Sequence, residues 1–282
     1  MDYATPDYGG GPQVSQDGTT ARTVDQLHGP SGRAADFRKT ITARQADVRL
    51  SSGKVVNALT FDGRVPGPTL QVKEGDLVEV TLVNEDIPEG VSIHWHGIDV
   101  PNREDGVAGV TQNAVRPGER YTYRFRAEQV GTFWYHSHEN AADEVRRGLY
   151  GALVIQPRDR PPGTLDLTAV VHSFQDAVVI GSSDGTEQRT VRPGTPVRLR
   201  LVNSDSSAQS FSLTGTPFSV AAIDGTDLNG PTPVSAQSIQ LGAGARYDLA
   251  FTMPAGPVKL GVAGTQTAIL LDPPGTSEAP PA

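Results

Sequence analysis

Two His-X-His pairs, His94-Trp95-His96 and His136-Ser137-His138, hold four of the six histidines in the chain. In an extended strand, residues i and i+2 point to the same face. His94 and His96 are therefore expected to project together, with Trp95 on the opposite face. The same argument pairs His136 with His138 and opposes Ser137 to them. Two such strands side by side would converge four imidazoles, and neutral imidazole is a ligand for copper, zinc, iron or nickel. The chain has no cysteine. Disulfides, thiolate metal sites, a blue-copper centre and a cysteine nucleophile are thereby excluded. The remaining histidines are ordinary: His28 falls in a polar N-terminal stretch, and His172, in LTAVVHSF, reads as a strand-end residue.

The segments that must position these pairs read as strands. VSIHWHGI and GTFWYHSH surround the two pairs, and Trp134 and Tyr135 are expected to pack behind the ligands. Tyr121, Tyr123 and Phe125 alternate with Thr122, Arg124 and Arg126. Val197, Leu199 and Leu201 alternate with Arg198 and Arg200. Such period-two patterning marks half-buried strands. The turn signals RPG, EGD, PPG and SDG recur between them, and 31 glycines with 22 prolines suit many turns and few long helices. An all-β sandwich architecture follows. The net charge of −8 argues against nucleic acid or an anionic membrane as partner. No apolar run approaches the roughly 20 residues of a membrane span, and the polar start shows no signal peptide.

The chain repeats itself. VKEGDLVEVTLVNED (72–86) aligns with VRPGTPVRLRLVNSD (191–205), sharing among others Gly75 with Gly194 and Asn84 with Asn203. SIHWHG (92–97) then aligns with SFSLTG (210–215), and Arg120, Tyr121 and Phe125 with Arg246, Tyr247 and Phe251. In this alignment His94 becomes Ser212, His96 becomes Thr214, and His136 and His138 fall on Gly261 and Ala263. The second half reads as a copy of the first without its ligands. The histidine pairs are thus an addition that the sandwich does not need in order to fold. The organisation expected is an N-terminal flexible arm over 1–36, a ligand-bearing domain over 37–158, a ligand-free domain over 159–273 and a Pro-rich tail over 274–282.

HWHGIDVPNREDGVAGVTQ, GTFWYHSH and RGLYGALVI closely resemble the first cupredoxin domain of multicopper oxidases. AAIDGTDL and GARYDL resemble the family's middle domain. The resemblance implies two tandem cupredoxin-like Greek-key β-sandwich domains and copper as cofactor. It further implies that His94 binds a type 2 copper while His96, His136 and His138 bind the type 3 pair of a trinuclear cluster. Such a cluster reduces dioxygen to water while a small reducing substrate is oxidised. Asp105, in EDGV, matches an acidic residue that assists proton delivery; a plain turn carboxylate before Gly106 is the other reading. The family's cluster uses eight histidines, half of them from a further cupredoxin domain that also carries the HxxHxH and HCHxxxH motifs. Neither motif occurs in this sequence. A third cupredoxin domain or another subunit is therefore expected to complete the site, and the isolated chain is expected to be inactive. Two other readings stand beside this one: a copper store or carrier, and a cupredoxin-scaffold interaction protein without catalysis. With two methionines the chain has no Met-rich tract for Cu(I). By the same resemblance the protein is expected outside the cytoplasm.

Overall fold

The structure is a computed structural model and describes residues 26–275 apart from 161, 175, 176 and 236. The chain divides into two compact units. The first comprises the described residues up to Val48 together with Asn57–Arg158; the second comprises Arg49–Val56 and the chain from Asp159 onward.

The first unit is built on β1 (Phe37–Arg49), β2 (Val55–Phe61), β3 (Leu70–Lys73), β4 (Leu77–Asn84), β5 (His94–His96), β6 (Arg120–Arg126), β7 (Gly131–His136) and β8 (Tyr150–Gln156), of which only Arg49 of β1 and the first two residues of β2 belong to the second. A 3-10 turn, Asn102–Glu104, and one short helix, α1 (Ala141–Arg146), interrupt the strands. The strands form two four-stranded sheets, in the orders β2-β1-β4-β6 and β3-β8-β7-β5. Alternation drives the packing. In β4 the residues Val78, Val80 and Leu82 are fully buried, and across β6 they meet Tyr123 and Phe125. Trp95, the middle residue of β5, is fully buried against Tyr123, Phe125 and Tyr135. Burying a side chain of that size, roughly 200 Å² at about 25 cal/mol per Å², contributes at most about 5 kcal/mol. The short ligand strand is thus anchored by the residue between its two histidines.

The second unit contains β9 (Leu165–Phe174), β10 (Ala177–Ile180), β11 (Thr186–Thr190), β12 (Pro196–Asn203), β13 (Gln209–Thr214), β14 (Ser219–Ile223), β15 (Thr226–Asp227), β16 (Ser238–Leu241), β17 (Arg246–Thr252), β18 (Val258–Val262) and β19 (Ala268–Asp272). Its sheets run β10-β9-β12-β17-β14-β15 and β11-β19-β18-β13-β16. Both units have the parallel pair followed by an antiparallel partner: β1 with β4 and β6, β9 with β12 and β17.

The internal repeat holds at the level of single residues. Val78 faces Phe125, and Val197 faces Phe251; Leu82 faces Tyr121, and Leu201 faces Tyr247. Asn84 and Asn203, both fully buried, end equivalent strands and close the same kind of corner. Asn84 Nδ2 donates to the carbonyls of Ile87 and Val115; Asn203 Nδ2 donates to those of Ser207, Leu241 and Gly242. A buried amide of this kind satisfies backbone oxygens that a turn leaves without partners.

Residues 1–25 and 276–282, which carry most of the expected flexible arm and Pro-rich tail, lie outside the described residues. Residues 27–33, also part of that expected arm, hydrogen-bond to the first unit. The Leu27 carbonyl accepts from Arg103 N–H, and Gly29 N–H donates to the Glu104 carboxylate. The Arg124 guanidinium donates to the carbonyls of Pro30 and Arg33. Backbone groups paired in this way are satisfied without water, whatever the segment's apolar content.

Candidate metal centre

β5 and β7 are antiparallel neighbours, with His94 opposite His136, Trp95 opposite Tyr135 and His96 opposite Trp134. The alternation of a strand places His94, His96, Trp134 and His136 on one face. Trp95 and Tyr135 go into the core on the other, fully buried. The ligand nitrogens of His94, His96 and His136 all lie within 4.8 Å of one another. The His138 ring lies 5.2 Å from that of His94 and 6.0 Å from that of His136, centre to centre.

Two details differ from the sequence reading. β7 ends at His136, so His138 is not a strand neighbour of His136. It is placed instead by its backbone N–H, which donates to Ser92 Oγ, while Ser92 N–H donates to Ser137 Oγ. The two serines thus tie together the chain segments that carry the two pairs. Trp134 does not pack behind the ligands: being two residues from His136, it shares their face. Its ring centre is 4.3 Å from that of His136 and 4.7 Å from that of His96. Tyr135 does lie behind, its hydroxyl donating to the Pro68 carbonyl. The glycine at 151 makes room for it, since a Cβ there would sit 2.4 Å from the tyrosine ring.

Each of the cross-strand histidines, His94 and His136, is oriented through its Nδ1. His136 Nδ1 lies 2.8 Å from the Ser137 carbonyl. His94 Nδ1 lies 2.9 Å from the Asp105 carbonyl and 3.2 Å from the Asp105 carboxylate. Nδ1–H donated to an oxygen would leave Nε2 free to face a metal, the usual arrangement around metal-bound imidazole. Asp105 reaches His94 because Gly106 follows it with φ +73°; a Cβ on that glycine would stand 1.8 Å from the Ile93 carbonyl. The turn before it is pinned by buried Glu104, whose carboxylate accepts the N–H of both Arg124 and Gly29.

The electrostatics of the two partners diverge. Burial disfavours the charged form of both rings. For His136 burial wins, helped by the neighbouring histidines, and its pKa falls to about 3. For His94 the Asp105 carboxylate and carbonyl outweigh burial, and its pKa is raised. Close by is Glu144 of α1, almost fully buried, which accepts Asn140 N–H and lies against Ser137. Burial pushes its carboxyl up to about 7. Nothing in the local sequence around Glu104 or Glu144 marks them, because their partners are brought in by the fold. For Trp134 the signal exists, since its i−2 spacing from His136 puts it on the same strand face, although the sequence reading places it behind.

The donor set fits a metal. Imidazole nitrogens bound to one ion at about 2.0–2.1 Å stand roughly 3–4 Å apart, so 4.8 Å closes by small ring rotations. An all-nitrogen set without thiolate suits copper, zinc, iron or nickel. Among the described residues no other group of histidines and carboxylates converges this closely. No helix among them is long and apolar enough to cross a membrane.

The comparisons with known proteins converge. A family model described as Multicopper oxidase matches residues 42–160, and a second of the same description matches residues 134–259. Laccase-1 of Botryotinia fuckeliana is 34% identical over 240 residues, covering 74% of this chain and 42% of that protein. Copper resistance protein A of Escherichia coli is 40% identical over 120 residues, covering 43% of this chain and 19% of that protein. The crystal structure of the blue copper oxidase from Nitrosomonas europaea superposes with a TM-score of 0.76 at 25% identity, covering 84% of this chain and 85% of that one. A multicopper oxidase from Pseudomonas thermotolerans gives 0.77 at 28% identity, covering 88% and 66%. The chain spans less than half the length of the curated relatives it matches.

Proposed function

This chain belongs to the multicopper oxidase family, and we propose that its first unit supplies half of a trinuclear copper site for the reduction of dioxygen to water. The observation that carries this reading is the convergence of His94, His96 and His136 within 4.8 Å, on strands whose counterparts in the second unit bear Ser212, Thr214 and Gly261. In that cluster His94 would hold the type 2 copper, and His96, His136 and His138 the type 3 pair. When bound, copper supplies the one-electron redox chemistry that dioxygen reduction requires. The protein's part is to hold imidazoles in fixed planes and to manage protons. His136, with a pKa near 3, is neutral and ready to ligate at any ordinary pH. Asp105 holds His94 and keeps a carboxylate that is one-third exposed. In this reading it would take up protons from solvent and pass them toward the site.

The other four histidines, and the site through which electrons enter, would come from a further cupredoxin domain, in the same polypeptide or on a partner subunit. The 282 residues contain no Cys and hence no HCHxxxH motif. The reducing substrate is a small molecule that such a domain would select. An extracytoplasmic location belongs to the same reading.

The test is copper retained per chain after loading and desalting, compared between wild type and His96→Ala or His138→Ala. Wild type should retain copper and both variants should lose most of it, whereas Ser212→Ala and Thr214→Ala should keep it. A wild-type chain that retains none overturns the reading. Oxygen consumption with a phenol should be absent for the chain alone and should appear once a complementing domain is added. Copper retention without turnover in any such combination would favour a store or carrier.

A further inference from the structure

The ligand face of β5 and β7 has four adjacent positions in register: His94 opposite His136, and His96 opposite Trp134. Three corners hold ligands, and the fourth holds an indole. In the second unit the same four positions are Ser212 opposite Gly261 and Thr214 opposite Lys259. The fourth corner therefore differs between the units together with the other three. The main core cluster of this unit lies on the other face, around Trp95, Tyr123, Phe125 and Tyr135, while Trp134 shares its face with Tyr150, Ala152 and Val154 of β8, all fully buried. Trp134 is itself buried. Its ring lies at 33° to that of His96 and 32° to that of His136, with centres 4.7 Å and 4.3 Å away. On its other side the register places Ala152, whose single methyl leaves room for a large flat ring.

We propose that Trp134 is a positioning residue of the metal site, a wall that sets the planes of the His96 and His136 rings together. This rests on the reading of those histidines as copper ligands and deepens it. Two imidazoles on different strands can each rotate about their own side-chain bonds. A single rigid ring in contact with both removes those rotations in common. The electron-rich face of an indole also favours imidazoles that carry positive charge, as they do when bound to Cu(II). The β7 strand delivers the indole without help from any loop, so this part of the site is as rigid as the sheet.

The test uses the full chain and Cu(II) alone as the probe, with affinity measured against a competing chelator and the electron paramagnetic resonance spectrum recorded at one equivalent. Trp134→Leu should lower Cu(II) affinity about tenfold or more, the usual scale for losing a residue that orients a ligand, and should change the copper hyperfine pattern. Trp134→Phe, whose smaller ring reaches one imidazole well but not both, should give a smaller loss and a spectrum that still differs from wild type. Tyr135→Phe, altered on the core face, should lower the melting temperature without moving the spectrum. Trp134→Leu that folds and matches wild type in affinity and spectrum overturns the proposal. Should that variant fail to fold, a Trp134→Phe chain indistinguishable from wild type in both readouts overturns it equally. A wild-type chain that binds no copper removes the underlying metal reading as well, which separates the two failures.

Discussion

Asp105 grips His94 at a single nitrogen from two sides, with its carbonyl oxygen 2.9 Å and its carboxylate oxygen 3.2 Å from Nδ1. One residue thereby orients the ring of a candidate ligand, favours one tautomer and raises its pKa. The carbonyl sets geometry, and the carboxylate adds a field that favours the protonated ring. The latter works against a metal in acid, because copper must displace that proton.

Asp105→Asn should therefore change copper binding in two opposite ways. Burial disfavours protonated His94, but Asp105 raises its pKa overall. Removing the charge lowers that pKa, so competition from protons should set in at a lower pH. At neutral pH the loss of an anionic partner should weaken binding about tenfold. Copper affinity measured from about pH 5 to 8, the range in which histidine titrates, should give curves that approach each other in acid. Parallel curves would show that the carboxylate does not control His94.

Gly106→Ala should unfold the site locally or the unit globally. The residue has φ +73°, and the new methyl would meet the Ile93 carbonyl at 1.8 Å. Left-handed strain alone costs roughly 1–2 kcal/mol for an L side chain, and the clash adds to it. Gly118→Ala separates the two effects, because at φ +83° it has nothing within 4 Å of the new atom. Denaturant melts should show a loss of about 1 kcal/mol for Gly118→Ala and clearly more for Gly106→Ala. Copper retention should fall only in the latter.

Which parts of this molecule were legible follows from the range of the forces involved. The convergence of the histidine pairs, their strands and the register of the sister unit follow from period-two patterning and the self-alignment. Ser212 does face Gly261 as His94 faces His136. The placement of Trp134 was open to the same rule, since i and i−2 share a face. Reading the aromatic run as core obscured that. The bend that takes His138 off the strand, the docking of residues 27–33 and the burial of Glu104 and Glu144 were not legible. Each depends on partners far along the chain, such as Ser92 with His138 or Gly29 with Glu104.

Glu144 should make the metal-free chain less stable as pH rises toward neutrality. Its folded pKa, about 7 because of burial, lies above the ordinary 4.5. The native state thus holds a proton that the unfolded chain has released. The stability it contributes is complete below the unfolded value and is lost as pH climbs through the folded one. The full difference is about 3 kcal/mol. His136 acts oppositely: with a folded pKa near 3, it makes stability rise with pH up to its ordinary 6.5. The difference between wild type and Glu144→Gln cancels the histidine contributions. Chemical denaturation across this range should show Glu144→Gln gaining on wild type from about pH 4.5 to 7. A constant difference would mean that Glu144 is not protonated in the fold.

The sister unit offers the strongest check on the idea that the ligands are separable from the sandwich. Ser212 and Thr214 are exposed neighbours on one face of β13, and Gly261 of β18 stands opposite Ser212. A Cβ on Gly261 would meet only Ser212 Oγ, at 3.5 Å, so a side chain fits. Introducing Ser212→His, Thr214→His and Gly261→His into a chain already silenced by His94→Ala and His96→Ala should restore metal binding in the second unit. The graft lacks a counterpart of Asp105 to hold its first imidazole, so its affinity should fall about 10- to 100-fold short of the native site. Cu(II) titration of the silenced and grafted chains measures this directly. A folded graft that binds no better than the silenced chain would mean that strand register is insufficient. The orienting contacts around His94 and His136 would then carry more of the site than the histidines themselves.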